Sequence, residues 1–324
     1  MRRPVETTPQ RYDLAVAWSW QYDEDFARLI ETQAYARNLQ TYFIRQHNVD
    51  ETHELLQRRK LLFSVVLDRA SDEDERFQPL AHFFSRRASS PSSSPPLHII
   101  NPYELQKRAA DKATMHLEFL SHGLEVPYTI IISPFNHKRE LELSLTELAQ
   151  LGRPFIIKPA NTTGGGIGVV LGAESLKDVF ETRQHHKNDK YLLQEKVNPA
   201  FLGENRAWFR VFYAFGSIIP CWWDDQTHIY REITPEHENS FGLEPLRSIT
   251  QVIKDICLLD FFSTEIVYTQ KQKFVVVDYV NEICDMRIQS HTADGVPDNV
   301  ADAIVHSMLD FVEEFLKNPP ARAS

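Results

Sequence analysis

Between Leu14 and Ile100 the chain repeats one alternation, a short strand-like apolar run followed by a stretch with helical spacing. The runs are Leu14-Ala15-Val16-Ala17-Trp18, Thr41-Tyr42-Phe43-Ile44, LLFSVVL from Leu61 to Leu67, and Leu97-His98-Ile99-Ile100. Helical spacing is predicted from Asp23 to Arg37, with Phe26, Leu29, Ile30 and Ala34 on one face. It is also predicted from Asp50 to Arg59, capped by Asp50 or Thr52, and from about Asp72 to Ser85. Parallel strands need long crossovers, which helices supply, so this alternation predicts a parallel sheet covered by helices. The stretch Arg86 to Pro96, RRASSPSSSPP, cannot build a core and reads as an exposed, mobile loop.

From Pro102 the organisation changes. A long helix is predicted from Tyr103 to His122, closed by Gly123, with a strand after Pro127 and a helix near Ser144 to Leu151. Strands Phe155 to Lys158 and Gly168 to Leu171 flank a glycine-rich turn, followed by a helix near Ser175 to Thr182 and a strand at Tyr191 to Gln194. Further strands are expected at Trp208 to Phe215, Ser217 to Trp222, Thr264 to Tyr268 and Lys273 to Tyr279. Helices are expected near Leu246 to Asp260 and Val300 to Leu316. The expected units are an α/β domain over 1–101, a first α+β subdomain over 102–193 and a second over 194–324.

The strongest local signal is PFIIKPANTTGGGIGVVL, where Lys158 ends an apolar strand just before Gly164-Gly165-Gly166. Glycines let backbone N–H groups come close to phosphate oxygens, and a lysine adds a compact positive charge. A tight hairpin with an incidental lysine explains this segment alone equally well. There is no GxxxxGK[ST], and Leu171 occupies the third position of the one GxGxxG frame. Downstream, FFSTEIVY and KFVVVDYVNE set Glu265, Asp278 and Asn281 on adjacent strands, a hard-oxygen set suited to Mg²⁺. Each element has a bland counterpart. Lys112 reads also as a solvated helix lysine, Arg210 as a sheet-face ion pair, and His185-His186 as a surface loop.

A formal net charge of −10 argues against a general affinity for nucleic acid or anionic membranes. Cys221, Cys257 and Cys284 are odd in number and widely spaced, which fits a reducing compartment without a disulfide framework. No apolar run is long enough to span a membrane and none follows Arg2-Arg3 as a signal peptide would, so a cytoplasmic protein is expected.

The order of these segments (Asp111-Lys112 on a helix, VPYT, the lysine–glycine loop, Gln194-Glu195, a strand arginine, the acidic strand pair, an asparagine) resembles the ATP-grasp superfamily. That group includes D-alanine–D-alanine ligase, glutathione synthetase and RimK-like ligases, and the resemblance covers roughly Asn101 to Ser290. It implies two α+β subdomains gripping ATP, preceded by a Rossmann-like parallel-sheet domain. It implies that Lys112 and Lys158 contact ATP phosphates under a loop of Gly164, Gly165, Gly166 and Gly168. Gln194, Glu195, Lys196 and Val197 would form the adenine hinge, Glu204 would meet the ribose, and Glu265, Asp278 and Asn281 would hold Mg²⁺. Arg210 would meet the transferring phosphate, and Arg287 would grip a substrate carboxylate.

The chain departs from the family pattern after Asp278. Its acidic-to-Asn spacing is one residue longer, which a bulge or Glu282 would have to compensate, and Glu282-Ile283-Cys284-Asp285-Met286-Arg287 replaces the usual Pro-Gly. The expected activity is ADP-forming ligation of a carboxylate to an amine, on a small-molecule or peptide substrate. Phosphorylation of a polyol hydroxyl and silent ATP binding are the alternatives. Assembly state is open, dimers being frequent among proteins of this type.

Overall fold

The computed structural model describes residues 8–90, 96–161 and 168–319, and the chain is mixed α/β throughout. The first unit follows the predicted alternation: β1 (Gln10–Trp18), α1 (Glu24–Ala36), β2 (Thr41–Ile44), α2 (Val49–Gln57), β3 (Leu61–Arg69), α3 (Gln78–Ala88) and β4 (His98–Ile100). All four strands are parallel, in the order β2-β1-β3-β4. The last five residues of both β1 and β3 are buried, as expected of strands covered on two faces. Helix α3 begins later than predicted because Asp74 accepts from Arg76 N and holds a single 3₁₀ turn at Glu75–Phe77 first. It then runs through Arg86 and Arg87, so the predicted loop starts inside a helix; residues 91–95 lie outside the described residues.

The second unit contains α4 (Tyr103–Ala110), α5 (Lys112–Ser121), β5 (Thr129–Ile132), α6 (Leu145–Leu151), β6 (Phe155–Pro159), β7 (Val170–Ala173), α7 (Leu176–Thr182) and β8 (Tyr191–Glu195). The single long helix predicted from Tyr103 is two helices. Asp111 turns extended (ψ 94°), and its carboxylate accepts from Ala113 N and Thr114 N, capping a new helix. The strands form an antiparallel sheet in the order β5-β8-β6-β7, packed around Phe155, Ile157, Val179, Tyr191 and Leu193.

The third unit contains β9 (Phe201–Leu202), β10 (Asn205–Arg206), β11 (Trp208–Ala214), β12 (Ser217–Trp223), β13 (Tyr230–Glu232), α8 (Pro235–Phe241), α9 (Pro245–Cys257), β14 (Phe261–Tyr268), β15 (Phe274–Asn281) and α10 (Asp298–Lys317). Helix α9 stops short of its predicted end because Leu258 takes a left-handed φ of 61°. The main sheet is antiparallel, in the order β13-β12-β11-β14-β15. Alternation along β11 sends Phe209, Val211 and Tyr213 into one core and Phe212 and Ala214 into another. The first core takes Ala109 of α4, Met115 and Phe119 of α5, and Ile253 of α9. In the second, α10 contributes Ile304, Val305 and Met308, and meets Phe26 and Ile30 of α1. Helices α4 and α5 thus pack on the large sheet, although β5 follows them in the chain.

Candidate nucleotide and metal site

The acidic pair sits at an irregularity in the β14–β15 ladder. Glu265 lies opposite Asp278, and Ser263 opposite Asn281, with register shifts on both sides of Glu265. Ser263 and Glu265 share one face of β14, so the bulge brings Asp278 and Asn281 to a common face despite their longer spacing. Tyr279 and Val280 between them are buried, whereas Asp278 and Asn281 are half-buried. The compensation the longer spacing called for is therefore built into β15.

Glu265 is buried, and both of its oxygens are engaged. Oε1 accepts from Arg210 Nη2, and Oε2 accepts from Trp208 Nε1 at 3.1 Å. Arg210 also donates to the Tyr230 hydroxyl at 3.2 Å and lies 4.8 Å from the Trp223 ring centroid. Desolvation opposes its charge, but Tyr230 and Glu265 outweigh that and raise its pKa. Burial also opposes ionisation of Asp278, yet Lys112, Lys158 and Arg210 together hold its pKa below the usual carboxylate range. Burial draws the Lys158 ammonium down, against attraction from Asp278 and Glu265, and its Nζ donates to Val277 O at 3.1 Å. Asp278 thus stands among three cations drawn from three separate segments.

The two lysines are held by one knot. Lys112 N donates to Ala160 O at 3.1 Å, which joins the first residue of α5 to the end of β6. Asp111 accepts from Lys190 Nζ at 2.8 Å, and Asn161 donates to Asp189 through N and Nδ2, both at 2.9 Å. Gly164, Gly165 and Gly166 lie outside the described residues. Gly168 has φ +77°, and a Cβ there would sit 3.3 Å from Pro159 Cγ and 3.4 Å from His186 Nε2, so only glycine fits. His186, read from the sequence as surface loop, reaches that glycine.

At the expected hinge, β8 is paired with β5 on one side and β6 on the other, and the side chains of Gln194, Glu195 and Val197 serve the fold. Gln194 donates to Thr129 Oγ1 and the Tyr279 hydroxyl, while Glu195 accepts from Tyr128 N at 2.8 Å. Lys196 is exposed, and Val197 packs against Val267, Val275 and Val277. Glu204 is exposed in the turn between β9 and β10. Arg287 is clamped by Asp285 at 2.7 Å and Asp294 at 3.0 Å, so both faces of the guanidinium fork are committed.

Several groups at the site escaped sequence reasoning. Tyr279 is one: its hydroxyl joins Gln194 to His116 Nδ1 at 2.6 Å, so that β15 links β8 to α5. Asp72 is another; it opens onto water but has protein on most sides, which raises its pKa to about 6. Glu282 is pushed to about 7 by burial and by Asp72 and Asp278, against attraction from Lys112. Asp72 carries no motif, and the sequence names Glu282 only as a compensation for the longer spacing; their interaction becomes legible only when the first unit meets the end of β15. Among the described residues no three His, Cys, Asp or Glu side chains gather as a metal cluster.

No family model and no curated protein matches the chain. Solved structures do. A RimK-domain ATP-grasp protein from Sphaerobacter thermophilus is 18% identical, with TM-score 0.58 over 92% of this chain and 99% of that one. D-alanine–D-alanine ligase from Bacillus anthracis, complexed with ATP, is 13% identical, with TM-score 0.61 over 96% of this chain and 99% of that one. The ligase PsnB, complexed with a precursor peptide and AMPPNP, is 13% identical, with TM-score 0.58 over 93% of this chain and 99% of that one. At these identities the likeness speaks to the fold.

Proposed function

On the ATP-grasp fold that this chain adopts, we propose an ADP-forming ligase that activates a carboxylate with ATP and passes it to an amine. The observation that carries the reading is the convergence of Lys112, Lys158 and Arg210 on Asp278, directly opposite Glu265 in the sheet. Two lysines from different elements suit a polyphosphate better than a single ion pair, and the buried floor strengthens their charge. Asp278, Asn281 and Glu265 are the hard-oxygen donors that would hold Mg²⁺, which supplies charge neutralisation between the phosphates. Lys112 and Lys158 orient the terminal phosphate, and the backbone around Gln194 to Val197 receives the adenine.

The substrate carboxylate attacks the γ-phosphorus as the bond to the β-phosphate oxygen breaks, releasing ADP. The amine then attacks the acyl carbon, the bond to phosphate oxygen breaks, and the amine's proton leaves with phosphate or water. Positioning and charge do the work, and no protein nucleophile is required. Ligases joining amino acids and ligases acting on peptides share this fold among the solved structures, so either substrate class suits the chain.

The test is ATP turnover with magnesium against pooled carboxylates, amines and polyols, with ADP and AMP separated. ADP release that requires a carboxylate and an amine together is the expected result. ADP accompanied by a phosphorylated alcohol would replace the ligase with a kinase, and absence of ATP binding would remove the reading altogether.

A further inference from the structure

The end of β15 is held from outside its own sheet. The β14–β15 ladder shifts register on both sides of Glu265, and its last registered pair is Ser263 with Asn281. A ladder with an irregularity in its middle does not by itself fix where its last residue lies. Beyond that pair the two strands are joined by Asn101, which directly follows β4. Asn101 is buried, and all four hydrogen-bonding capacities of its side-chain amide are used. Nδ2 donates to Phe261 O and to Glu282 O, the latter at 3.1 Å. Oδ1 accepts from Asp260 N at 2.9 Å and from Phe261 N at 3.1 Å. One amide thus stands where a strand peptide would, between the start of β14 and the residue after Asn281. Its backbone takes a left-handed φ of 52°, which asparagine tolerates, and its carbonyl accepts from Gln106 Nε2 at 2.7 Å.

Two residues on, a second buried side chain repeats the arrangement. Arg69, the last residue of β3, is held by both oxygens of Asp23, at 2.6 and 3.0 Å, and donates to Cys284 O at 2.8 Å. Cys284 Sγ in turn donates to Asn281 O at 3.5 Å. The segment that stands in place of the family's Pro-Gly is therefore gripped at alternate carbonyls from the ends of two parallel strands. We propose that Asn101 is a positioning residue for the metal end of the site, fixing through Glu282 O where the Asn281 amide is presented. The inference rests on the nucleotide and Mg²⁺ reading above and adds a residue that acts on that site without touching its ligands. Only the φ and ψ of Glu282 separate the held carbonyl from the peptide that leaves Asn281. The bonds of the amide also divide by task. Oδ1 serves β14, whereas only Nδ2 reaches Glu282, so Asn101→Asp keeps the shape and the acceptor half and removes the donor half.

The experiment is calorimetry of ATP binding to the full chain, once with Mg²⁺ and once with EDTA, on the parent and on Asn101→Asp. Affinity with Mg²⁺ should fall about 10- to 100-fold, and affinity in EDTA by less than about twofold. Electron paramagnetic resonance of Mn²⁺ in the presence of ATP, reading free against bound metal, should show the same loss. His98→Ala breaks a neighbouring 2.7 Å contact, to Asp260, and should leave both affinities as they are. Should Asn101→Asp fail to fold, Gln106→Met, which releases the Asn101 carbonyl, carries the test with a metal-specific loss of about threefold or more. Equal losses with and without metal would make Asn101 a packing residue. Unchanged affinities in a folded variant, or the same loss in His98→Ala, would likewise overturn the inference, and all three leave the ligase reading standing. A phosphorylated alcohol as the product of turnover would remove the ligase while leaving the role of Asn101 in place. A parent chain that binds no ATP overturns both.

Discussion

The two antiparallel sheets that flank the candidate site differ in how they are supported. The sheet β13-β12-β11-β14-β15 has a core on each face, built with α4, α5 and α9 on one side and α1 and α10 on the other. The sheet β5-β8-β6-β7 has one small core of its own, its other face joining the large core only through Leu192 and Ile131, and Leu145, Leu171, Leu176 and Phe180 around the small core remain exposed. The buried charges sit on the doubly covered sheet; the thin sheet reaches them through Lys158 Nζ on Val277 O and Gln194 on the Tyr279 hydroxyl. A floor that excludes water makes fixed charges strong, and a lightly attached partner supplies a charge without being held rigidly by its own core. Substitutions in the thick sheet should therefore cost stability, and those in the thin sheet should cost nucleotide binding first.

The largest expected effect is on the Arg210–Glu265 pair, whose side chains are 14% and 9% exposed. Glu265→Gln leaves a buried guanidinium without its counter-charge and should lower unfolding free energy by about 3 to 5 kcal/mol, read from urea denaturation. Arg210→Met combined with Glu265→Leu should recover most of that stability without recovering turnover. A single-variant cost below about 0.5 kcal/mol, the range of surface substitutions, would break the contrast between the sheets. On the thin side, Lys158→Ala removes a charge-assisted contact and should weaken ATP binding about 10- to 100-fold by calorimetry. Its melting temperature should stay near that of the parent; a large drop would mean that the lysine holds the sheets together rather than the nucleotide.

Tyr279 belongs to both sheets. Tyr279→Phe leaves Gln194 and His116 each short of one partner and should cost about 1 to 2 kcal/mol in denaturation. Because the link joins β8, proposed to receive the adenine, to β15, proposed to hold the metal, KM for ATP should rise more than kcat falls. An unchanged KM would make the hydroxyl a packing feature only.

The parallel sheet was legible because its alternation needs no long-range information, and the acidic strand pair because a 13-residue separation suits a hairpin-like ladder. The break at Asp111 was not, since the apolar spacing continues across it and only the cap reveals it. The commitment of Arg287 to Asp285 and Asp294 follows from a loop conformation that composition does not encode. Asp72 and Glu282 lie 210 residues apart (282 − 72) and meet only through packing of the first domain on β15. Local pattern carried the elements and the motif residues; the electrostatics came from tertiary approach.

The smallest expected effect sharpens the comparison through pH. His116 on α5 is buried beside Tyr279, and desolvation lowers its pKa below the ordinary 6.5. The unfolded chain therefore binds more protons than the folded one near and below that value, so this group's contribution to stability is present above pH 6.5 and lost as the pH falls. Asp72 and Glu282 act in the opposite sense. Their folded pKa values, about 6 and about 7, exceed those of free carboxylates, so each favours the folded state more as the pH drops. The parent's melting profile mixes these terms, and only a difference between chains separates them. His116→Gln keeps a neutral partner for the Tyr279 hydroxyl while removing the titration. Between about pH 7 and 5 the variant should lose less stability than the parent, or gain more, with the two curves converging in shape above pH 7. Parallel curves over the whole range would mean that water reaches His116, and that the floor beneath the hinge is wetter than the thick sheet's packing implies.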